Sequence, residues 1–180
     1  MTKTEIIAQA FGIVGLVIVV LSYQLKNNKS FFLAQAMGSL FFFANFFLIG
    51  AYGGAFFNLV NLIRGLLLTE NPGKRWKLIL IEVAYVGCLI FSVFLDPRPI
   101  AILFAALPFT GLIAMTVFMV RARPVPIRVF QIAWMSPSWI AHNIFNLSVG
   151  GLVCEVLNMV SSAVFLLRGK HDKQKAEAKK

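Results

Sequence analysis

Residues 39–61 read SLFFFANFFLIGAYGGAFFNLVN, and residues 136–158 read SPSWIAHNIFNLSVGGLVCEVLN. A shift of 97 residues lays one stretch on the other. Ser39 falls on Ser136, Ala44 on Ala141, Gly53-Gly54 on Gly150-Gly151, and Asn61 on Asn158. Identity is low, and apolar matches come easily in this composition, so the weight rests on polar positions that keep register. Each copy reads as two apolar spans joined by a Gly-Gly turn, with an asparagine near the middle of the second span.

Further apolar spans lie on either side. The first runs from Glu5 to Gln24 and is broken by Lys26-Asn27-Asn28-Lys29. It is too long for a signal-peptide core, and no small-residue cleavage signal follows, so it reads as a retained helix. The second runs from Phe31 to Gly50 and the third from the glycine pair to Thr69. The polar stretch Glu70 to Lys77 leads to a fourth span, Leu78–Leu95, which Asp96-Pro97-Arg98-Pro99 closes. The fifth is Ile100–Val120. Arg121 to Arg128, with Pro124 and Pro126, reads as a loop before a sixth span, Val129 to Leu147. The seventh ends near Arg168, and a disordered or frayed tail is expected beyond it. Spans of roughly 17–21 residues, at about 1.5 Å rise each, match a hydrocarbon core about 30 Å thick.

The expected fold is therefore an all-α integral membrane protein of seven transmembrane helices. Residues 1–69 form a first three-helix repeat and 70–99 a connector helix with its loops. Residues 100–168 form a second repeat and 169–180 a basic tail. Three helices return the chain on the opposite side of the membrane. The connector restores the orientation, so 3+1+3 gives parallel repeats about an axis along the membrane normal.

Composition agrees. The chain is 59% hydrophobic and 13% charged, with 18 phenylalanines and a mean hydropathy of +0.81. A soluble domain carries roughly 25% charged residues. The net charge of +10 does not point to nucleic acid, because the cations sit in short loops and the tail. Of the 17 Lys and Arg residues, only Lys3 and Arg98 fall on the other side from the first loop. The positive-inside rule then puts the N-terminus outside and the C-terminus in the cytoplasm. Cys88 and Cys154 lie within apolar spans and read as small buried hydrophobes. No nucleophile–base pair, phosphate loop or metal spacing appears, so no enzyme, cofactor or metal is expected.

The 3+1+3 plan resembles that of the SWEET and PQ-loop transporters, and Tyr23-Gln24 sits where that superfamily often has Pro-Gln. Residues Ala141 to Gly151 (AHNIFNLSVGG), together with Asn61-Leu62-Ile63-Arg64, resemble the YgjV-like bacterial inner-membrane proteins. The resemblance implies an inner-membrane location. It also implies substrate-binding roles for Asn61 and Asn158, which match the third-helix asparagine of each SWEET-like bundle. Asn45 and His142 match the second-helix region that shapes the cavity. Sugar transporters of this kind can carry Trp there, so His142 is a departure.

Polar groups at membrane depth are costly and rarely face lipid, which singles out the same residues independently. Asn58 pairs with Glu155 in the repeat, so only the second half carries a carboxylate and an imidazole. Glu155 and His142 are candidates for proton coupling, and equally for a structural ion pair. Pro137, flanked by Ser136 and Ser138, and Pro108 are candidate hinges. Gly12, Gly15 and Gly38 are suited to close helix packing in the first half. Arg64 reads as a snorkelling cation and Glu82 as a partner for a loop lysine. The expected function is transport of a small polar solute by alternating access. The other class open to this sequence is a non-transporting assembly or regulatory membrane protein. Expected partners are membrane lipid and the solute, and oligomerisation is allowed.

Overall fold

The computed structural model describes residues 3–50, 52–95, 98–121, 124–145 and 149–177. The Asp96-Pro97 stop, Arg123, Lys179, Lys180 and residues 146–148 of the resemblance motif lie outside them. Seven helical rods follow one another: α1 (Lys3–Ser22), α2 (Asn28–Leu48), α3 (Tyr52–Thr69), α4 (Arg75–Leu95), α5 (Pro99–Val120), α6 and α7 (Val149–Glu177). The α6 rod has three unbroken parts: Pro124–Phe130, a π-helical turn Gln131–Met135, and Ser136–Phe145. No strand occurs among the described residues. Five of the rods contain spans long and apolar enough to cross a membrane, and Gly54–Thr69 is a shorter apolar helix.

Three expectations from the sequence are corrected. The glycine pairs are not turns, because both lie in the first turn of a helix, α3 or α7. Gly50, with φ of +76°, makes the reversal before α3. The Arg121–Arg128 segment is only partly a loop, because α6 already begins at Pro124. The first N–H groups of a helix have no intrahelical acceptor, so Pro124 and Pro126 lose nothing there. Finally, α7 does not stop near Arg168 but runs to Glu177, through a stretch rich in the helix formers Lys, Gln, Ala and Glu.

Small residues set the spacing within the first half. A Cβ on Gly15 would lie 3.1 Å from the Gly38 carbonyl, and one on Gly38 would lie 2.3 Å from Val19 Cγ2. α1 and α2 therefore pack almost backbone to backbone. Between the halves, α1 packs on α7 and α3 on α5, while α4 packs on both α3 and α5. Exchanging the two halves converts one inter-half contact into the other.

Two cations expected in loops are buried and cap helix ends. Lys77 donates from Nζ to the carbonyls of Leu67 and Glu70 at the end of α3. Arg128, with no exposed surface, donates to the carbonyls of Tyr23 (3.2 Å) and Leu25 (2.9 Å) just beyond α1. The last carbonyls of a helix lack intrahelical donors and carry its negative dipole end, so a cation serves both needs.

Candidate functional site

A cavity of about 430 Å³ lies between the halves, lined by α1, α2, α3, α5, α6 and α7. This falls in the usual range for small-molecule pockets, roughly 300–1,000 Å³. Its walls repeat the sequence register. Phe42 and Trp139, Phe46 and Asn143, Phe57 and Cys154, Asn58 and Glu155, and Asn61 and Asn158 all line it, each pair 97 residues apart. Leu16 and Leu112, and Val19 and Met115, do the same for α1 and α5 at a spacing of 96.

The glycine pairs acquire a role from this geometry. A Cβ on Gly54 would meet the Phe46 ring at 3.2 Å, and one on Gly151 would meet the Asn143 side chain at 2.5 Å. In each half the glycine lets the third helix start directly against a wall residue of the second.

Asn61 and Asn158 both line the cavity but differ in their partners. Asn61 Oδ1 accepts from Tyr85 Oη of α4 at 2.5 Å. Asn158 is 3% exposed; its amide nitrogen reaches Cys154 Sγ at 3.7 Å, and its Oδ1 has no partner. Glu155 Oε2 accepts from Ser136 Oγ at 2.7 Å and, more weakly, from Gln131 Nε2 at 3.4 Å. Gln131 in turn donates to Ser136 Oγ (2.8 Å) and accepts from Tyr23 Oη at 2.6 Å. An unbroken polar chain thus runs from the cavity carboxylate to the end of α1.

That end of the bundle, where the basic connections gather, is closed by hydrogen bonds between the halves. Gln24 Nε2 donates to the carbonyl and hydroxyl of Ser161, Ser161 Oγ donates to the Val20 carbonyl, and Arg168 reaches Gln24 Oε1. Arg128 packs between the rings of Phe31 (4.3 Å) and Phe165 (4.5 Å), with Tyr23 alongside. Tyr23-Gln24, noted in the sequence for position alone, is the hub of this seal.

Asn45 and His142 do one job twice. Asn45 lines the cavity, yet its amide donates to the Ala8 carbonyl of α1 at 2.6 Å. His142 Nδ1 lies 2.9 Å from the Phe104 carbonyl of α5, and its ring stands edge-on to Trp139. Phe104 is four residues before Pro108, which has no N–H to give that carbonyl. A carbonyl only accepts, so Nδ1 carries the proton and repairs the gap left by the proline. The cavity face near His142 is formed by Trp139 and Asn143 instead. Pro137 lies one residue beyond the π-helical turn, which the Ser136 N–H closes by bonding the Gln131 carbonyl. That turn places Gln131 and Ser136 beside Glu155.

Gln131, Arg128 and Trp139 were not singled out from the sequence. A glutamine and an arginine at the mouth of an apolar span were the available signal, and the Pro124–Pro126 pair obscured it. Arg64, read as snorkelling, is 5% exposed and lines the cavity. Glu82 has no hydrogen-bond partner on either carboxylate oxygen, so its expected loop-lysine contact is absent. Among the described residues no cluster of potential metal ligands occurs.

The description of a bacterial inner membrane protein family, Imp-YgjV, matches residues 6–173. The chain belongs to this family. Together with the apolar rods, that makes it a multi-pass protein of the bacterial inner membrane. No curated protein and no solved structure matches it.

Proposed function

We propose that this family member is a transporter of a small polar solute, working by alternating access around the cavity between its halves. The observation that carries this reading is the cavity itself. Equivalent positions of two related halves line it, polar side chains converge on it, and one end is sealed by hydrogen bonds that cross between the halves. Rocking of one half against the other would break that seal and leave each half intact, the motion expected of repeat-built transporters. The distribution of Lys and Arg supports placing the sealed end, with the C-terminus, in the cytoplasm and the N-terminus outside. The cavity then stands closed to the cytoplasm, and Asn61 and Asn158 are its binding residues.

Proton linkage through Glu155 belongs to the same proposal. The carboxylate holds Ser136 and Gln131, and Gln131 holds Tyr23 at the seal. Protonation removes the acceptor charge at the start of this chain, so cavity chemistry and gate are mechanically joined. His142, engaged with the α5 backbone, serves packing.

The test is uptake by purified protein in vesicles, with labelled amino acids, monocarboxylates and hexoses as probes. Movement above protein-free vesicles is expected for one class. Glu155→Gln should retain exchange and lose accumulation driven by a pH gradient. Absence of movement for every probe, in both vesicle orientations, would return the chain to the non-transporting class.

A further inference from the structure

Arg64 is the feature that packing leaves unexplained. Its side chain is 95% buried on the cavity wall of α3, and neither Nε nor Nη1 has a hydrogen-bond partner. Its guanidinium carbon lies over the Tyr85 ring, 5.8 Å from the centroid, a cation–π contact that still leaves the N–H donors without acceptors. Glu82 lies near enough to interact with it electrostatically, but neither carboxylate oxygen of Glu82 accepts a hydrogen bond, so the guanidinium donors are not engaged by it. Buried charges in native proteins are paired, because an unpaired one costs several kcal/mol or more. A second unpartnered group belongs to another wall residue: Asn158 Oδ1 is a buried acceptor without a donor.

We propose that the cavity binds a small carboxylate that also carries a hydrogen-bond donor, its carboxylate on Arg64 and its hydroxyl or ammonium on Asn158 Oδ1. The guanidinium presents N–H donors in one plane, the geometry that matches the two oxygens of a carboxylate. The other charged wall residue, Glu155, is already held by Ser136 and Gln131, so Arg64 is left to a ligand. The class fits the polar walls better than a sugar does. A neutral polyol would bring no negative charge to the guanidinium. The inference names the ligand class of the site proposed above and rests on that reading for its physiological meaning, but binding itself does not require transport.

The experiment is ligand-induced thermal stabilisation of the purified full-length protein in detergent, with matched probe pairs. Lactate is compared with lactamide, alanine with alaninamide, and glucose serves as the neutral control. At least one carboxylate is expected to stabilise the protein, and its amide, close in shape but without the carboxylate charge, to bind roughly tenfold or more weakly. The choice between lactate and alanine tells hydroxyl from ammonium at Asn158. Arg64→Gln should abolish the preference for carboxylate over amide. If that variant does not fold, Arg64→Lys keeps the charge and loses the planar donors, and should weaken binding about tenfold. Equal stabilisation by acid and amide, or by glucose alone, overturns the carboxylate assignment whatever the vesicles show. Carboxylate binding without uptake upholds it and removes the transport reading.

Discussion

The two halves share their scaffold contacts and differ in their cavity chemistry. In the first half Asn45 ties α2 to the Ala8 carbonyl of α1; in the second His142 ties α6 to the Phe104 carbonyl of α5. Gly54 rests on Phe46, and Gly151 on the corresponding Asn143. Against this common frame, Glu155 stands at the position of Asn58, and Arg64 at the position of Ser161. Ser161 is spent on the seal with Gln24 and Val20, whereas Arg64 lines the cavity with its Nε and Nη1 unpartnered. The repeated contacts build the frame, and the unrepeated residues carry the charge and the hydrogen bonds that seal one end.

The largest expected effect comes from the most asymmetric residue of all. Arg128 joins the halves through the Tyr23 and Leu25 carbonyls and two closely packed rings, and the position 97 residues before it is Phe31, one of those rings. Arg128→Met should lower stability by about 3 kcal/mol or more, since charge-assisted bonds and a desolvated cation–π contact are both lost. Unfolding in mixed micelles measures this. A loss under about 1 kcal/mol would mean that the seal is held by Gln24 and Ser161 alone. If the seal is a gate, the same variant should also admit a thiol reagent from the basic end to a cysteine placed at Met119.

The sequence showed the frame more readily than the site for a physical reason. Apolar length and loop charge report the membrane directly, so the rods and their approximate ends could be read from residues such as Asn27, Pro99 and Gly50. The 97-residue register also found Asn61, Asn158 and Glu155, because polar residues at membrane depth stand out. What sequence could not give was rotation about each helix axis. His142 and Asn143 are neighbours, and only packing decides that Asn143 lines the cavity while His142 meets α5. The burial of Arg64 and Arg128 was hidden likewise, because an arginine near a span end reads as snorkelling until its neighbours are known.

The glycine contacts offer a finer comparison, with an effect of intermediate size. Gly151→Ala would drive a methyl to within 2.5–2.6 Å of the Asn143 amide, whereas Gly54→Ala meets the Phe46 ring at 3.2 Å. The first should cost about 1–2 kcal/mol and displace Asn143 from the cavity wall; the second should cost less and leave binding alone. Equal losses in both would mean that the helix start, rather than the neighbour it touches, is what each glycine protects.

The smallest effect is the most diagnostic of what the halves have in common. The position equivalent to Pro108 at the α1–α5 spacing of 96 is Gly12, whose N–H is available to the Ala8 carbonyl. Asn45 therefore adds a second donor to a carbonyl that already has one within reach, while His142 supplies the donor that Pro108 cannot. Asn45 and His142 look alike in place but differ in necessity. His142→Ala leaves the Phe104 carbonyl unsatisfied at membrane depth and should cost about 1 kcal/mol. In a Pro108→Ala background the helix supplies its own N–H, and the same histidine change should cost close to nothing. The coupling between the two sites, read from a double-mutant cycle, should therefore approach the whole of the His142→Ala effect. His142→Asn, which copies the first half, should retain most of the stability and leave the pH dependence of uptake unchanged. A cycle with no coupling would show that His142 acts elsewhere than on Phe104, and a shifted pH profile would return it to the proton path beside Glu155.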